Sequence, residues 1–201
     1  MAITYVNRKQ STYYLHEGKT KTGKPKYFFS MKAEGTLVET IPKGYQIYEN
    51  PNGQVFLRKI QPQLITDEEL AVVQAGMEAF SKVQRFLIDV KKEIISIFTP
   101  DQDIARLAAI VTSASSTLGR GNQAVEQILE RSLNYSSDLR FVLVDQEKRL
   151  FQAERYCYLG SIDDWIEIGP TDTLQKLVKA YVKHLGQESF LSCIDLARCK
   201  G

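Results

Sequence analysis

The chain has 201 residues, a formal net charge of +2 and 43% hydrophobic residues, a composition typical of a globular protein and not of a disordered or fibrous one. No window reaches the roughly 18 uncharged apolar residues that a membrane-spanning helix needs, and the first residues lack the order of a signal peptide. Three cysteines are too few to cross-link a small scaffold. We therefore expect a cytoplasmic protein that has no membrane partner.

Charge and aromatic residues are unevenly distributed along the chain. Residues 1–62 hold ten Lys or Arg against four Glu, a formal charge of +6, which leaves −4 for residues 63–201. The same segment holds nine of the twenty aromatic residues. Basic surface attracts polyanions whatever the fold. We predict a basic, aromatic-rich module over 1–62 and an α+β body over 63–201.

The N-terminal module is predicted to contain two β-hairpins. Aromatic-rich strands at 12–16 and 26–31 flank a turn segment that holds two glycines and a proline. Strands at 44–49 and 54–59 flank a second turn with an Asn-Gly pair, which is the strongest short-range hairpin signal. Alternation along the second hairpin makes four residues plausible inward positions. They are Tyr45, Ile47, Val55 and Leu57.

The body begins with a helix signal. Thr66 and Glu69 have the spacing of a capping box, and the apolar residues that follow recur with helical spacing. These features predict an amphipathic helix that ends near Val83. Two runs rich in β-branched residues, 85–90 and 93–98, then predict a third hairpin.

The order of elements predicts an α+β fold, in which the N-terminal pair of β-hairpins precedes a mixed body of β-hairpins and amphipathic helices. Thr99 as N-cap and Pro100 as first helical residue predict a helix start. The small polar residues of 112–122 predict a loop or a frayed connection. The remaining predicted elements are a helix at 125–133, a hairpin of 139–145 and 150–158, and a helix over 173–185 that Gly186 stops.

Several segments resemble a family of uncharacterised bacterial proteins. The resemblance lies in residues 12–15, 20–29, 41–45 and 48–59, and in Arg155–Trp165 near the end of the chain. It implies a full-length protein of bacterial type. It implies no activity, because none is assigned to that family.

A glycine-rich segment imitates a nucleotide-binding loop. Gly18 to Lys24 matches the first seven positions of a P-loop, but Pro25 stands where a Ser or Thr hydroxyl must reach magnesium. A P-loop also leads into a helix, whereas the aromatic run after Pro25 predicts a strand. We therefore reject nucleotide hydrolysis at this segment.

The lysines of the same segment suggest a polyanion contact. They project from the predicted hairpin tip, and aromatic side chains on the adjoining strands are suited to stack on unpaired bases. A two-stranded ribbon also fits the major groove of DNA. The ordinary alternative is that the lysines serve solubility and the aromatics belong to the core. The candidate nucleic-acid-binding residues are Lys19, Lys21, Lys24, Lys26, Tyr14 and Tyr27.

A second candidate anion site lies in the hairpin of 139–145 and 150–158. Pairing Asp145 with Leu150 sets Arg140 opposite Arg155 if the register is regular. Like charges directly opposite are unfavourable unless an acid or a bound anion lies between them. Ordinary pairing with Asp163 or Asp164 is the alternative to anion binding.

Evidence for an enzyme is weaker. Five acids on predicted strands or turns are suited in type to bind magnesium, as a metal-dependent nuclease requires, but no spacing among them is diagnostic. They are Asp89, Glu93, Glu154, Asp163 and Asp164, and the first two are expected to face each other across a turn. The sequence assigns no metal site, no cofactor and no catalytic residue.

The sequence therefore favours a binding protein that contacts DNA or RNA through the basic N-terminal hairpins. Two alternatives stay open. One is a protein-interaction or regulatory subunit whose aromatic hairpins dock on a protein partner, and the other is the metal-dependent nuclease.

Overall fold

The computed structural model describes residues 2–117, 122–159, 162–187 and Phe190. This part of the chain forms four α-helices and eleven β-strands, and the strands form three sheets. The predicted α+β class is confirmed. None of its helices is both long enough and apolar enough to cross a membrane.

The chain divides into two compact units that interleave in the sequence. The first combines Met1–Gln61 with Asp101–Asn134, and the second combines Pro62–Pro100 with Tyr135–Gly201. The predicted boundary at residue 62 assigns Asp101–Asn134 to the body, whereas this segment groups with the N-terminal strands.

The first unit contains the two predicted hairpins and two helices. The elements are β1 (Thr4–Val6), β2 (Thr12–Lys19), β3 (Pro25–Ser30), β4 (Tyr45–Glu49), β5 (Val55–Lys59), α2 (Ile104–Thr117) and α3 (Asn122–Ser132). A three-stranded antiparallel sheet has the order β1-β2-β3, and a separate hairpin pairs β4 with β5. The short strand β1 is an element that the sequence patterns did not indicate.

The register of the second hairpin confirms its predicted alternation. Ile47 pairs with Leu57 and Tyr45 with Lys59, so the four residues predicted to point inward share one face. Val55 is buried on that face. The turn closes at Gly53, whose φ of +78° favours glycine, and its carbonyl accepts a 2.6 Å hydrogen bond from Asn7 Nδ2.

Helix α2 begins later than predicted. Thr99 and Pro100 belong to a β-strand and pair with Ser136 and Tyr135, so the predicted helix start there is wrong. Asp103 caps the helix instead, because its Oδ1 accepts from the Arg106 N–H at 3.0 Å.

The end of α2 also differs from the prediction. The helix continues to Thr117, through much of the segment predicted as a loop, since residues 112–117 contain neither Gly nor Pro to interrupt it. Gly119 and Gly121 lie outside the described residues.

The second unit is an antiparallel sheet packed on two helices. The elements are α1 (Asp67–Phe80), β6 (Leu87–Lys91), β7 (Ile94–Pro100), β8 (Tyr135–Asp145), β9 (Leu150–Leu159), β10 (Ile162–Glu167), β11 (Asp172–Thr173) and α4 (Leu174–Tyr181), followed by a 3-10 turn, Val182–His184. The strand order is β10-β9-β8-β7-β6, and β11 pairs with β9. The third and fourth predicted hairpins are confirmed.

Alternate residues of the central strands form the core of the second unit. Side chains of β7, β8 and β9 pack with the buried faces of α1 and α4, as period-2 and period-3.6 patterns require. The largest fully buried members are Phe141, Phe151, Ile95, Ile97, Leu139 and Met77.

Local signals set the ends of the helices. The capping box is present: Glu69 N–H donates to Thr66 Oγ1 at 3.3 Å, and Thr66 N–H donates to Glu69 Oε2 at 3.0 Å. Helix α1 ends at Phe80 with Ser81 as C-cap, earlier than the predicted end near Val83. The predicted last helix is confirmed, and Gly186 follows its 3-10 turn with φ +70°.

Candidate nucleic-acid interface

The tip of the β2–β3 hairpin is a closed turn. Lys19 pairs with Pro25 at the ends of the strands. Thr20 N–H donates to the carbonyl of Lys24 at 2.8 Å, and Thr20 Oγ1 accepts from the Lys24 N–H at 3.1 Å. Gly23 has a φ of +78°, which explains the glycine at this position. The turn therefore holds its lysines on an ordered backbone.

The four candidate lysines of the tip are all exposed. None of them forms an ion pair with any described residue, and the sequence contains no acid between Glu17 and Glu34. No acid in the described part of the chain neutralises these charges, which makes the tip attractive to anions. They are Lys19, Lys21, Lys24 and Lys26.

The strand register separates the two candidate tyrosines. Tyr14 pairs with Ser30, whereas Tyr27 pairs with Glu17. Because side chains alternate between faces, Tyr14 and Tyr27 lie on opposite faces of the sheet. Tyr27 contacts Tyr45 with ring centroids 6.5 Å apart and is half-buried. The structure therefore does not bring all six predicted residues to one surface.

Phe28 is a further candidate for the interface that the sequence patterns did not identify. It pairs with His16 next to the Gly18–Lys26 pair, so Phe28 and Lys26 share a face. Its side chain is 42% exposed. Strand alternation counted from the glycine turn would have placed Phe28 beside Lys26, and this is the signal that could have identified it.

The Phe28 ring packs on a buried side chain. It stacks on the His16 ring with centroids 5.3 Å apart and an interplanar angle of 13°. His16 is itself buried, and its Nε2 donates to the carbonyl of Lys32 at 2.9 Å. A Cβ at Gly18 would lie 3.3 Å from Phe28 Cε1, so this glycine leaves room for the ring. The exposed ring of Phe28 therefore packs on a buried, hydrogen-bonded side chain.

The context of the glycine-rich segment is strand, turn, strand. Gly18 and Lys19 end β2, and the aromatic run after Pro25 forms β3. A helix N-terminus, which a P-loop uses to hold phosphate, does not follow this turn. The strand predicted from the aromatic run is confirmed.

A β-bulge overturns the predicted register of the two arginines. Asp145 pairs with Leu150 as expected, but Leu143 pairs with Phe151, so Val144 is an extra residue in β8. The shift sets Arg140 opposite Glu154 and Leu139 opposite Arg155. The predicted pairing of Arg140 with Arg155 is therefore wrong.

The two arginines lie on opposite faces of the sheet. Arg140 Nε donates to Glu154 Oε2 at 2.6 Å, and the Arg140 guanidinium lies over the Trp165 ring. Arg155 points to the core face, where it is buried. Because the two arginines lie on opposite faces, they do not form the shared anion site that the predicted register implied.

The five acids considered for a nuclease are distributed over separate places. Asp89 pairs with Ser96, so it does not face Glu93, which lies in the turn beside Lys92. Glu154 is engaged by Arg140. In the described part of the chain, no three His, Cys, Asp or Glu side chains gather as a metal site would require.

Asp163 has a different role. It accepts a hydrogen bond from the Tyr156 hydroxyl, and this bond, which favours the protonated phenol, raises the pKa of Tyr156. Asp164 Oδ1 accepts from the Trp165 N–H at 2.7 Å. Neither acid forms an ion pair with Arg140 or Arg155, so the ordinary alternative expected for these arginines is also wrong.

No protein-family model matches the chain, and comparisons with curated proteins and with solved structures find no match.

Proposed function

We propose that the protein binds single-stranded DNA or RNA through the β2–β3 hairpin. The observation that carries the proposal is the sheet face on which Lys26 lies next to the exposed ring of Phe28, at the base of a tip whose lysines form no ion pair with any described residue. The setting we propose is cytoplasmic, in keeping with the free thiol of Cys157.

In this proposal the lysines and the Phe28 ring contact different parts of the nucleic acid. Lysine ammonium groups contact backbone phosphates and release condensed counterions, which makes binding depend on salt concentration. Phe28 stacks on one base, a contact worth about 1–3 kcal/mol that tolerates any sequence because every base has a π-face. Tyr14 shares the face of Phe28 and is the candidate for a second stacking contact.

Two features favour a single strand over a duplex. An aromatic ring on a sheet surface needs an unstacked base, which a regular duplex does not offer. The tip contains lysine but no arginine, and lysine lacks the planar fork that reads guanine edges bidentately. We therefore expect weak sequence preference.

The lysines are tested by fluorescence anisotropy with labelled 20-mers of dT and U at several salt concentrations. Replacing Lys19, Lys21, Lys24 and Lys26 together by Gln should reduce affinity strongly and lower the slope of log affinity against log salt by up to about 3. A control variant replaces four exposed lysines of the second unit by Gln. They are Lys82, Lys91, Lys92 and Lys179.

Equal losses in both quadruple variants would show a diffuse charge effect and not a binding site. Affinity weaker than micromolar at low salt, or unchanged in the hairpin variant, would refute the proposal.

The ring is tested by a matched pair of variants. Phe28→Ala should lower affinity for the oligonucleotide roughly 5- to 150-fold. Phe56→Ala is the control, because Phe56 is an aromatic residue of the same unit with similar exposure, 46%, on the other hairpin. A similar loss of affinity in both variants would show that Phe28 makes no specific contact with the oligonucleotide, so that only the electrostatic contact would stand.

Docking of a protein partner is the second candidate function. The outward face of β9 and β10 favours it, because Tyr158 is 80% exposed there beside Tyr156 and Trp165, and such residues dominate binding at protein interfaces. A photo-crosslinking residue at position 158 should capture a discrete protein from cell extract, and the same residue at position 56 should not. No capture at position 158 would argue against this function.

A further inference from the structure

Strand β6 forms one edge of the sheet in the second unit. It pairs with β7 on one side, and no strand of the described chain pairs with its other side. The strand contains no proline, and its pairing with β7 has no bulge. It therefore lacks two of the devices that protect sheet edges, and an unprotected edge is a template for another strand.

Two residues of β6 direct their backbone groups to this open side. The Glu93 carbonyl accepts from the Leu143 N–H at 2.9 Å, and the alternation of an antiparallel ladder then places the backbone groups of Ile95 on the side of β8. Val90 pairs with Ile95, so the N–H and C=O groups of Val90 and of Ile88 point away from β7. An added strand can hydrogen-bond to both residues.

An apolar groove lies beside the open edge, on the core face of the sheet. Its volume is about 310 Å³, and the described residues that line it come from α1 and β6. Ala71 and Gln74 are exposed, and Leu70, Ile88 and Val90 are half-buried, so the groove is open to solvent. A strand added to β6 would place every second side chain on the side of this groove.

We propose that this edge binds β6 of a second copy of the chain, antiparallel and across a two-fold axis at Val90. Asp89 and Lys91 flank Val90 and lie on the face opposite the groove. With the axis at Val90, Asp89 lies opposite the partner's Lys91, and Lys91 lies opposite the partner's Asp89. Opposite charges directly across a ladder stabilise strand pairing, so the charge pattern of β6 is complementary to itself.

The neighbouring register lacks this complementarity. An axis at Asp89 would set the two Asp89 carboxylates opposite each other, in the type of pair that brings side chains closest together. Like charges directly opposite are unfavourable. Charged residues on an edge strand ordinarily deter pairing, and here their alternating signs select one register of one partner.

The second copy also covers the groove. Across the axis the two Val90 side chains lie directly opposite each other at the groove, and both α1 helices lie on the same side of the joined sheet, with Ala71 and Gln74 toward the seam. All these residues belong to the second unit. None of them is proposed to bind nucleic acid, so either proposal can fail without the other.

The test is sedimentation velocity of the full chain over a concentration series. Two short strands bury less than the roughly 1,600 Å² of a standard interface, so we expect a monomer–dimer equilibrium with a micromolar Kd. Asp89→Lys and Lys91→Asp each set like charges opposite each other twice, and each should raise the Kd about 10-fold or more. An equimolar mixture of the two variants should dimerise again, because each supplies the charges that the other lacks.

The control Glu147→Lys reverses an exposed charge in the turn between β8 and β9 and should dimerise like the wild type. A wild type that stays monomeric throughout the series would overturn the proposal and leave the edge to a different chain or to none. Equal Kd values in the wild type and both reversals, or a mixture of folded variants that stays monomeric, would overturn it too. Lys91 is also among the control lysines of the nucleic-acid test, so that control should lose dimer without losing oligonucleotide affinity.

Crosslinking covers the case in which the charge reversals do not fold. Residues in a hydrogen-bonded pair have Cα atoms about 5.5 Å apart, within disulfide range, so oxidised Val90→Cys should give a covalent dimer on a non-reducing gel. Ile88→Cys is the control, since this register separates the two copies of position 88 by about 13 Å along the strands. The wild type, oxidised in parallel, gives the background from the three cysteines of the chain. Equal dimer in both variants, or none above background in Val90→Cys, would contradict pairing at Val90.

Discussion

Arg140 lies over Trp165, with its guanidinium carbon 4.2 Å from the centroid of the indole ring. The same guanidinium donates to Glu154 at 2.6 Å, so one cation contacts a ring and a carboxylate together. Trp165 in turn meets Tyr156 edge-on, with centroids 5.6 Å apart. This stack on the outward face of β8, β9 and β10 exists because Val144 bulges out of the ladder and sets Arg140 opposite Glu154.

Removing the cation from this stack should be visible in tryptophan emission, since Trp165 is the only tryptophan of the chain. Arg140→Met should red-shift the emission, increase its quenching by acrylamide and lower the free energy of unfolding by about 1 kcal/mol. Arg106→Met, at an exposed helical position, should change neither quantity. Unchanged quenching in Arg140→Met would mean that the guanidinium does not cover the ring in solution.

Gly76 permits the close approach of α1 and α4. A Cβ at Gly76 would overlap Cγ1 of Val178. Gly76→Ala should therefore lower the free energy of unfolding by about 1–3 kcal/mol, although alanine favours helix more than glycine does. Urea unfolding of Gly76→Ala, Val178→Ala and the double variant measures the coupling. The double variant should be less destabilised than the two single changes predict together, and strict additivity would show that the helices do not touch here.

An ion pair links the capping box of α1 to the turn between β8 and β9. Glu69 also accepts from Arg149, whose Nε reaches Oε1 at 2.9 Å and whose Nη2 reaches Oε2 at 2.5 Å. Thr66→Ala should lower the free energy of unfolding by about 1 kcal/mol. Glu69→Ala should cost more, about 2 kcal/mol, because it removes the cap and the partly buried ion pair together. Denaturant titrations compare both with Glu78→Ala, an exposed change in the last turn of the helix that should cost less than Thr66→Ala.

Acid should weaken the second unit through His184. Burial lowers the pKa of His184 below its ordinary value of 6.5, and the neighbouring Lys183 adds to the shift. As the pH falls below 6.5, the unfolded chain takes up a proton that the native state does not, so the free energy of unfolding decreases until the native pKa is passed. Stability curves between pH 8 and 5 should show this loss, and His184→Gln should reduce it. An identical pH dependence in the variant would exclude His184 as its source.

Local signals determined much of the fold. The Asn-Gly turn before Val55 and the capping box at Thr66 act over two to four residues, so each specifies its own element wherever that element lies. Exposure of the tip lysines was predictable for a similar reason, because a charged turn between two strands has no alternative but solvent.

Sequence patterns did not predict the conformation or exposure of residues whose partners are distant in the chain. Thr99 and Pro100 have the pattern of a helix start, but pairing with Ser136 and Tyr135 keeps them extended. Phe28 and Tyr27 are adjacent aromatics of similar character, and strand register and packing alone decide that Phe28 is exposed while Tyr27 lies against Tyr45.

The sequence by itself determined the class of fold, the hairpins and the basic tip, because turns, caps and alternation are interactions between near neighbours in the chain. Only the tertiary structure decided the environment of Arg140 and Arg155. Because Val144 is an extra residue in β8, the turn at Asp145 forms while Leu139, Phe141 and Leu143 all pack in the core. That compromise between distant contacts sends one arginine to Trp165 and buries the other without an acid among the described residues.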